Sequence, residues 1–416
     1  MSSDPSRNAF RRRREQGSGT TSILRNNPAD APGVLLAAVT LSALGALLYN
    51  VLPLFLGAAQ DYRVLSEAAA GTLASSFFVG FTFSAASAFF WIHRFNWRAV
   101  TSVSVPIAAA AIVLTGFARS FPVMMATVFI AGGAFSVMYS IGTAVIGDSS
   151  HPSRWFGLKI AAEAAMGALL LAVLPGAVIA RWGFGGLMLA LAAAIVVCSP
   201  LLYGLPTHSG KGGGGEVTKP AGPPSSKARI PVWFGLFAGA SYIFCTTMIW
   251  SQLERFAAAA GFDAVTTGKV LSLSLLFAMA GSLLAAIVSG RFGLAKPLLL
   301  AGTSVLLSLS LLSAASSVSE FAAAVFLFSL AFGLGLPFFI STIAALDVTG
   351  RHVVLTVPAL GIGVLLAPAT GGILSGSGGF APVLALGGLT ATIAILLALS
   401  ALHLGRPGSQ LIRKGE

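Results

Sequence analysis

A chain of 416 residues that is 56% hydrophobic and 9% charged, with mean hydropathy +0.88, lacks the composition of a water-soluble domain, where about 25% of residues are charged. Apolar runs of the ~20 residues needed to cross a bilayer fill it from Pro32 to about Gly405, leaving no room for a soluble domain. A net charge of +12 suits nucleic acid in a soluble protein. In a membrane protein it belongs to cytoplasmic loops, so no nucleic-acid partner is expected.

Residues 1–32 are polar, hold Arg11, Arg12, Arg13 and Arg14, and read as a disordered cytoplasmic tail. No short apolar core with a small-residue cleavage site follows, so a cleaved signal peptide is not expected. Spans are predicted at 33–58, 68–92, 99–118, 121–146, 156–180 and 184–205. Residues 206–230 form a polar linker rich in Gly and Pro, expected to act as a flexible tether. A second six follow at 231–254, 264–289, 297–316, 320–346, 353–376 and 380–404, then a short tail from 405 to 416. The predicted fold class is all-α integral membrane protein, with 12 transmembrane helices in two six-helix bundles, 33–205 and 231–404. Both cysteines, Cys198 and Cys245, fall inside spans, and no metal-type spacing occurs.

Charge supports the count. With the N-terminus inside, the cytoplasmic segments together with Lys159 hold 20 of the 25 Lys and Arg. The other side has Arg63, Arg119, Arg181, Arg255 and Lys269. This four-to-one bias predicts both termini in the cytoplasm and a multi-pass protein of the cytoplasmic membrane. The halves also repeat at an offset of 197 residues: Gly71 with Gly268, Ser75 with Ser272, Arg94–Phe95 with Arg291–Phe292, Phe135 with Phe332, Arg154 with Arg351. Both six-span units start inside, so the repeat is parallel, about an axis along the membrane normal.

The loop after span 2 reads His93-Arg94-Phe95-Asn96-Trp97-Arg98, and the loop after span 8 reads Ser289-Gly290-Arg291-Phe292-Gly293-Leu294-Ala295-Lys296-Pro297. With the span count, the central loop and the repeat, these resemble the major facilitator superfamily over residues 33–404. That family carries a Gly-x-x-x-Asp-Arg-x-Gly-Arg-Arg-like signature in both loops. The arginine is kept as Arg94 and Arg291, while His93 and Gly290 stand where the aspartate would be. The resemblance implies secondary transport by alternating access, with these loops latching the cytoplasmic face. Arg94 with Asp148 and Arg291 with Asp347 are the expected latches, with Arg154 and Arg351 a few residues beyond each aspartate; topogenic charge is the alternative role. The family's span 4 arginine and span 5 antiporter signature are absent, so neither route to proton coupling nor antiport gains support.

Polar side chains are costly in hydrocarbon and mark the cavity between helices. Lys159 and Glu163 stand at i and i+4 on one face of span 5. Glu163, the one acidic residue well inside a predicted span, is a candidate proton carrier or partner for a cationic group; Lys159 is alternatively its internal counter-ion. In span 7, Tyr242, Thr246, Trp250 and Glu254 recur at four-residue steps. This stripe fits a small organic solute with an apolar body and a polar end. Trp and Tyr also anchor helices at interfaces, and Glu254, near the outer end, is alternatively solvated. Tyr49 and Asn50 precede Pro53 in span 1; Asn50 suits a ligand or a neighbouring helix equally. Tyr139, Ser140, Pro337 and Phe338 either line a pore or pack helices.

The glycine strings of span 11 are not nucleotide loops, because no strand precedes them and no phosphate-binding Lys-Ser/Thr follows. No cofactor is expected, with proton coupling left open, and the functional unit is expected to be a monomer. A polytopic membrane enzyme is the competing class, but the five histidines scatter over different loops. A channel or receptor-like protein is a further alternative, without the charge rings or filter motif of a channel.

Overall fold

The structure is a computed structural model that describes residues 28–92, 94–150, 152–208, 226–347 and 355–405. Arg351, His93, His352, the arginines at 11–14 and most of the linker and C-terminal tail lie outside these residues.

Among the described residues the chain is helical, without strands. In chain order the helices are α1 (Pro32–Gly45), α2 (Leu47–Asn50), α3 (Leu52–Arg63), α4 (Glu67–Trp91), α5 (Trp97–Phe117), α6 (Phe121–Asp148), α7 (Pro152–Leu174) and α8 (Ala180–Cys198). They continue as α9 (Ser226–Ala259), α10 (Ala264–Val288), α11 (Ala295–Ala314), α12 (Val318–Leu346), α13 (Thr356–Gly378) and α14 (Phe380–Leu404). Helices prevail because a backbone in lipid must satisfy its own hydrogen bonds. Some starts carry side-chain caps: Ser66 before α4, Asn96 before α5, Asp263 before α10, and the Ser317–Glu320 capping box at α12. α9 starts at Ser226, so the last five residues assigned to the 206–230 linker are helical.

Ten helical stretches among the described residues are long and apolar enough to cross a membrane by length and composition. One, Arg154–Gly204, runs 51 residues. As a straight helix it would reach about 75 Å, more than twice the ~30 Å hydrocarbon core. It instead reverses at Gly183, whose φ of 57° and ψ of −150° lie outside helical space and favour glycine. A Cβ there would also come within 2.6 Å of the Tyr62 ring. The two ends of the run return to one face: the Ser150 amide donates to Asp30 (2.8 Å), and Gly204 abuts the Gly33 carbonyl. We call this the linker face; Tyr62 and Gly183 mark the far face. Residues 32–63 bend at Ala46 and Val51, between α1, α2 and α3.

Within the first half, α6 packs against α1, α4 and α5, and α8 against α5. Within the second, α12 packs against α10 and α11, and α9 against α13 and α14. Corresponding helices start at matching positions: Glu67, Trp97 and Phe121 against Ala264, Ala295 and Val318, displacements of 197, 198 and 197 residues. The halves meet where α4 runs along α13, α7 along α10, and α3 against α9.

Candidate functional site

The first polar cluster is buried inside the helices, about two to three turns from the linker-face start of α7, where α1–α2, α6 and α7 converge. Lys159 and Glu163, one turn apart on α7, form an ion pair with Nζ 2.7 Å from Oε1. Their side chains are 4% and 14% exposed, so the pair is shielded and its acid is the more accessible partner. The Lys159 ammonium also sits 3.9 Å from the centre of the Tyr139 ring on α6, in cation–π geometry. From α2, the Asn50 side-chain amide donates to the main-chain carbonyl of Glu163 at 2.9 Å. Asn50 therefore ties α2 to α7 and engages the backbone rather than the carboxylate.

Aromatic rings extend the cluster. Tyr49 meets Phe78 edge-on (5.9 Å) and Phe81 meets Tyr139 (5.9 Å), bringing α4 to the same site. Across the seam, the Trp250 indole of α9 donates to the Tyr49 carbonyl at 3.0 Å. That carbonyl is available for a local reason: Pro53, four residues on, has no N–H to return to it. The first half thus leaves this carbonyl without its i+4 helical donor, and the second half supplies one.

The span 7 stripe divides. Tyr242 and Thr246 face the interior of the second half: the Tyr242 hydroxyl donates to the Ala331 carbonyl (2.7 Å) and its ring stacks on Phe339 (4.3 Å). The Thr246 hydroxyl returns to the Tyr242 carbonyl of its own helix (2.9 Å). Phe338 is likewise buried. Trp250 and Glu254 turn instead to the first half. Glu254 departs from the alternative of a solvated outer residue. α9 continues five residues beyond it to Ala259, and the side chain is buried against Arg255 (2.6 Å). It is therefore a second buried carboxylate within a helix, in addition to Glu163.

Arg255 forms a second cluster, nearer the far face. Its guanidinium grips Asp61 of α3 through two parallel bonds (2.7 and 3.0 Å) while also holding Glu254. Such bidentate geometry is the strongest form of this pairing. A cleft of about 190 Å³ opens beside it, lined by Asp61, Tyr62, Glu254 and Asp263 among others. Asp263 lies outside the helices, and the hydrogen bonds it accepts from Thr266 hold its carboxyl below the usual aspartate range. Sequence spacing had marked Arg255 only as an outer-face charge; Asp61, Phe78 and Phe81 carried no signal.

The linker-face candidates are arranged differently. Arg94 and Arg291 are exposed, Asp148 is half-buried and Asp347 buried. Among the described residues no ion pair joins Arg94 to Asp148 or Arg291 to Asp347. Arg154 is exposed, its guanidinium 5.8 Å from the Trp155 ring centre.

Apolar membrane-length helices converging on a small buried polar cluster define a multi-pass membrane protein of the transporter class. The chain belongs to the Major Facilitator Superfamily, whose family model matches residues 34–357, and it is a transporter rather than an enzyme. Its fold is similar to crystal structures of the nucleoside transporter NupG and of a NupG mutant, each with TM-score 0.65. The mutant is 14% identical, covering 89% of this chain and 100% of its own; the other is 13% identical, covering 89% and 98%. No curated protein is significantly similar to the chain.

Proposed function

We propose that this transporter moves a small organic solute across the cytoplasmic membrane by alternating access, acting as a monomer with both termini in the cytoplasm. Twelve crossings arranged as two six-helix bundles, 33–205 and 231–404, rock about a site at their seam. The recurrence of helix starts at a near-constant displacement supports the paired bundles. The observation that carries the reading is the shielded Lys159–Glu163 pair buried among the helices, beside Tyr139, Asn50, Tyr49 and Trp250. Intramembrane ionisable groups are functional by default. Glu163 is the proposed proton-coupling group.

The ties between the halves include Trp250–Tyr49, Arg255–Asp61, and the Ala369 amide donating to Ser75 (3.0 Å). These three lie on the far side of the seam, which favours a conformation closed there, although Gly361 also packs against Thr82 nearer the linker face. Arg94 with Asp148 and Arg291 with Asp347 are then latches of the opposite conformation, with Arg154 and Arg351 as their basic neighbours. Charge reversal at Asp148 should change the conformational bias; unchanged transport and unchanged bias would remove the latch.

The test of function is flux in proteoliposomes. Radiolabelled nucleosides enter the panel because the structural neighbours are nucleoside transporters, alongside organic acids and amines. Saturable uptake that falls when an ionophore collapses the proton gradient is expected. Saturable uptake indifferent to the ionophore would defeat proton coupling, and absence of saturable uptake would defeat the transporter reading.

A further inference from the structure

We propose that the solute is a monoanion, a carboxylate- or sulfonate-type group on an apolar or aromatic body, bound by Lys159 while a proton occupies Glu163. This deepens the transporter reading and rests on it.

The buried pair is asymmetric. The Lys159 ammonium is held twice, by the Glu163 carboxylate at 2.7 Å and by the Tyr139 ring at 3.9 Å. The Glu163 carboxylate has Lys159 as its ion-pair partner, and Asn50 engages the main-chain oxygen of that residue instead. The acid is also the more exposed of the two, 14% against 4%. A proton arriving at the pair therefore discharges the member with fewer ties and better access. It forms one O–H bond on Glu163 and leaves the ammonium seated on the ring with its charge uncompensated.

An uncompensated buried charge is expensive, and an incoming anion removes that cost. A cationic solute would have to displace Lys159 from Glu163, leaving two cations against one carboxylate. A neutral solute would leave the pair closed.

The charge balance closes in both directions. Empty, the site holds carboxylate and ammonium. Loaded, it holds carboxylic acid, ammonium and one anion. Each state is neutral, so neither conformational crossing carries net charge through the low-dielectric interior, and each cycle moves one proton with one anion.

The groups around Glu163 are consistent with this count. Its own helix supplies Lys159, with Arg154 exposed near the helix start. α6 supplies Tyr139, with Asp148 at its end; α1–α2 supply Tyr49 and Asn50. α10 contacts α7 through apolar groups such as Leu275, and its one charged side chain, Lys269, is exposed. Tyr49 and Phe81, each half-buried, offer aromatic surface to an apolar body, with Phe78 and Trp250 buried against Tyr49.

The test uses purified full-length protein in liposomes, with protein-free liposomes subtracted. The probes are a panel of alkane- and arene-sulfonates, their neutral sulfonamides, and matched quaternary ammonium compounds. Sulfonates stay ionised and do not leak as neutral acids. Saturable sulfonate uptake is expected. Making the outside about one pH unit more acidic than the lumen should accumulate the probe about tenfold, unchanged when valinomycin clamps the membrane potential.

Glu163→Gln should retain sulfonate exchange between the two sides and lose accumulation. Lys159→Gln should lose sulfonate uptake, while Lys159→Arg should restore it, separating loss of charge from loss of fold. Uptake of sulfonamides or ammonium compounds without sulfonates would overturn the monoanion and leave the transporter reading standing. So would accumulation that persists in Glu163→Gln or depends on membrane potential. Absence of saturable flux for every probe and every solute of the wider panel would remove both readings.

Discussion

The two ionic clusters of this transporter use the same side-chain chemistry for opposite mechanical ends. Lys159 and Glu163 stand on one helix, one turn apart, so their pair travels with α7 as a unit. Arg255 and Asp61 stand on α9 and α3, in different halves of the chain, so their pair must break when those helices separate. The first pair is shielded on both sides, while the Asp61 side chain is 53% exposed. A pair carried on one helix can survive a conformational cycle and change only its protonation. A pair spanning two moving parts reports which conformation is populated. The difference separates a group suited to coupling from a group suited to gating.

The sharpest way to break this comparison is to remove one member of the shielded pair. Lys159→Met leaves the Glu163 carboxylate buried without its cation, a change that typically costs about 3–5 kcal/mol. The expected outcome is a large drop in thermal stability of the purified protein in alkaline buffer, eased on acidification as Glu163 takes a proton. Adding Glu163→Gln to Lys159→Met should recover most of the loss. A single variant that melts like the parent at alkaline pH would mean the pair contributes nothing to the fold.

The second intervention acts on the seam alone. α4 and α13 approach so closely that a Cβ on Gly372 would strike the Glu67 carbonyl, and backbone cannot move aside as a side chain can. Gly372→Val should force the helices apart at a cost of about 1–3 kcal/mol, opening the far face. An impermeant maleimide reacting with Ala58→Cys, in a background where Cys198 and Cys245 are replaced, measures that opening. Unchanged labelling would show that this contact does not hold the far face closed.

The spans were legible because lipid imposes a length and a polarity that few sequences meet by accident. Trp97, Phe121, Ala264 and Val318 start helices within a few residues of the expected positions. Lys159 and Glu163 were legible as neighbours for an equally local reason, since i and i+4 share a helix face in any fold. Contacts between helices were not. The stripe from Tyr242 to Glu254 sits on one helix, but what it meets depends on which helix lies opposite each turn: α12 for Tyr242, α2 for Trp250, and Arg255 of its own helix for Glu254. Pro53 was the available hint, because a proline orphans the carbonyl four residues before it. Its partner Trp250 lies 201 residues away and carries no mark of the pairing. The bidentate Asp61–Arg255 tie is equally non-local, and the topogenic charge count treated Arg255 only as a minority outer charge.

The smallest expected effect separates the clusters most cleanly. Asp61→Asn removes the exposed end of the bridging pair while Glu254 stays on Arg255. With Asp61 half in solvent, the pair is worth about 0.2–1 kcal/mol. That is enough to shift the balance of conformations up to about fivefold toward an open far face, and Ala58→Cys labelling should rise by that factor at low salt. Because solvent-exposed charges are screened over about 8 Å at physiological ionic strength and about 3 Å at 1 M, the parent protein should approach the variant as salt is raised. The Lys159–Glu163 pair, shielded from ions, should show no comparable salt dependence in its melting cycle. Were both clusters to respond alike to salt, the distinction between a travelling pair and a bridging pair would fail. The far face would then be held by backbone contacts such as Gly372 against Glu67 rather than by charge.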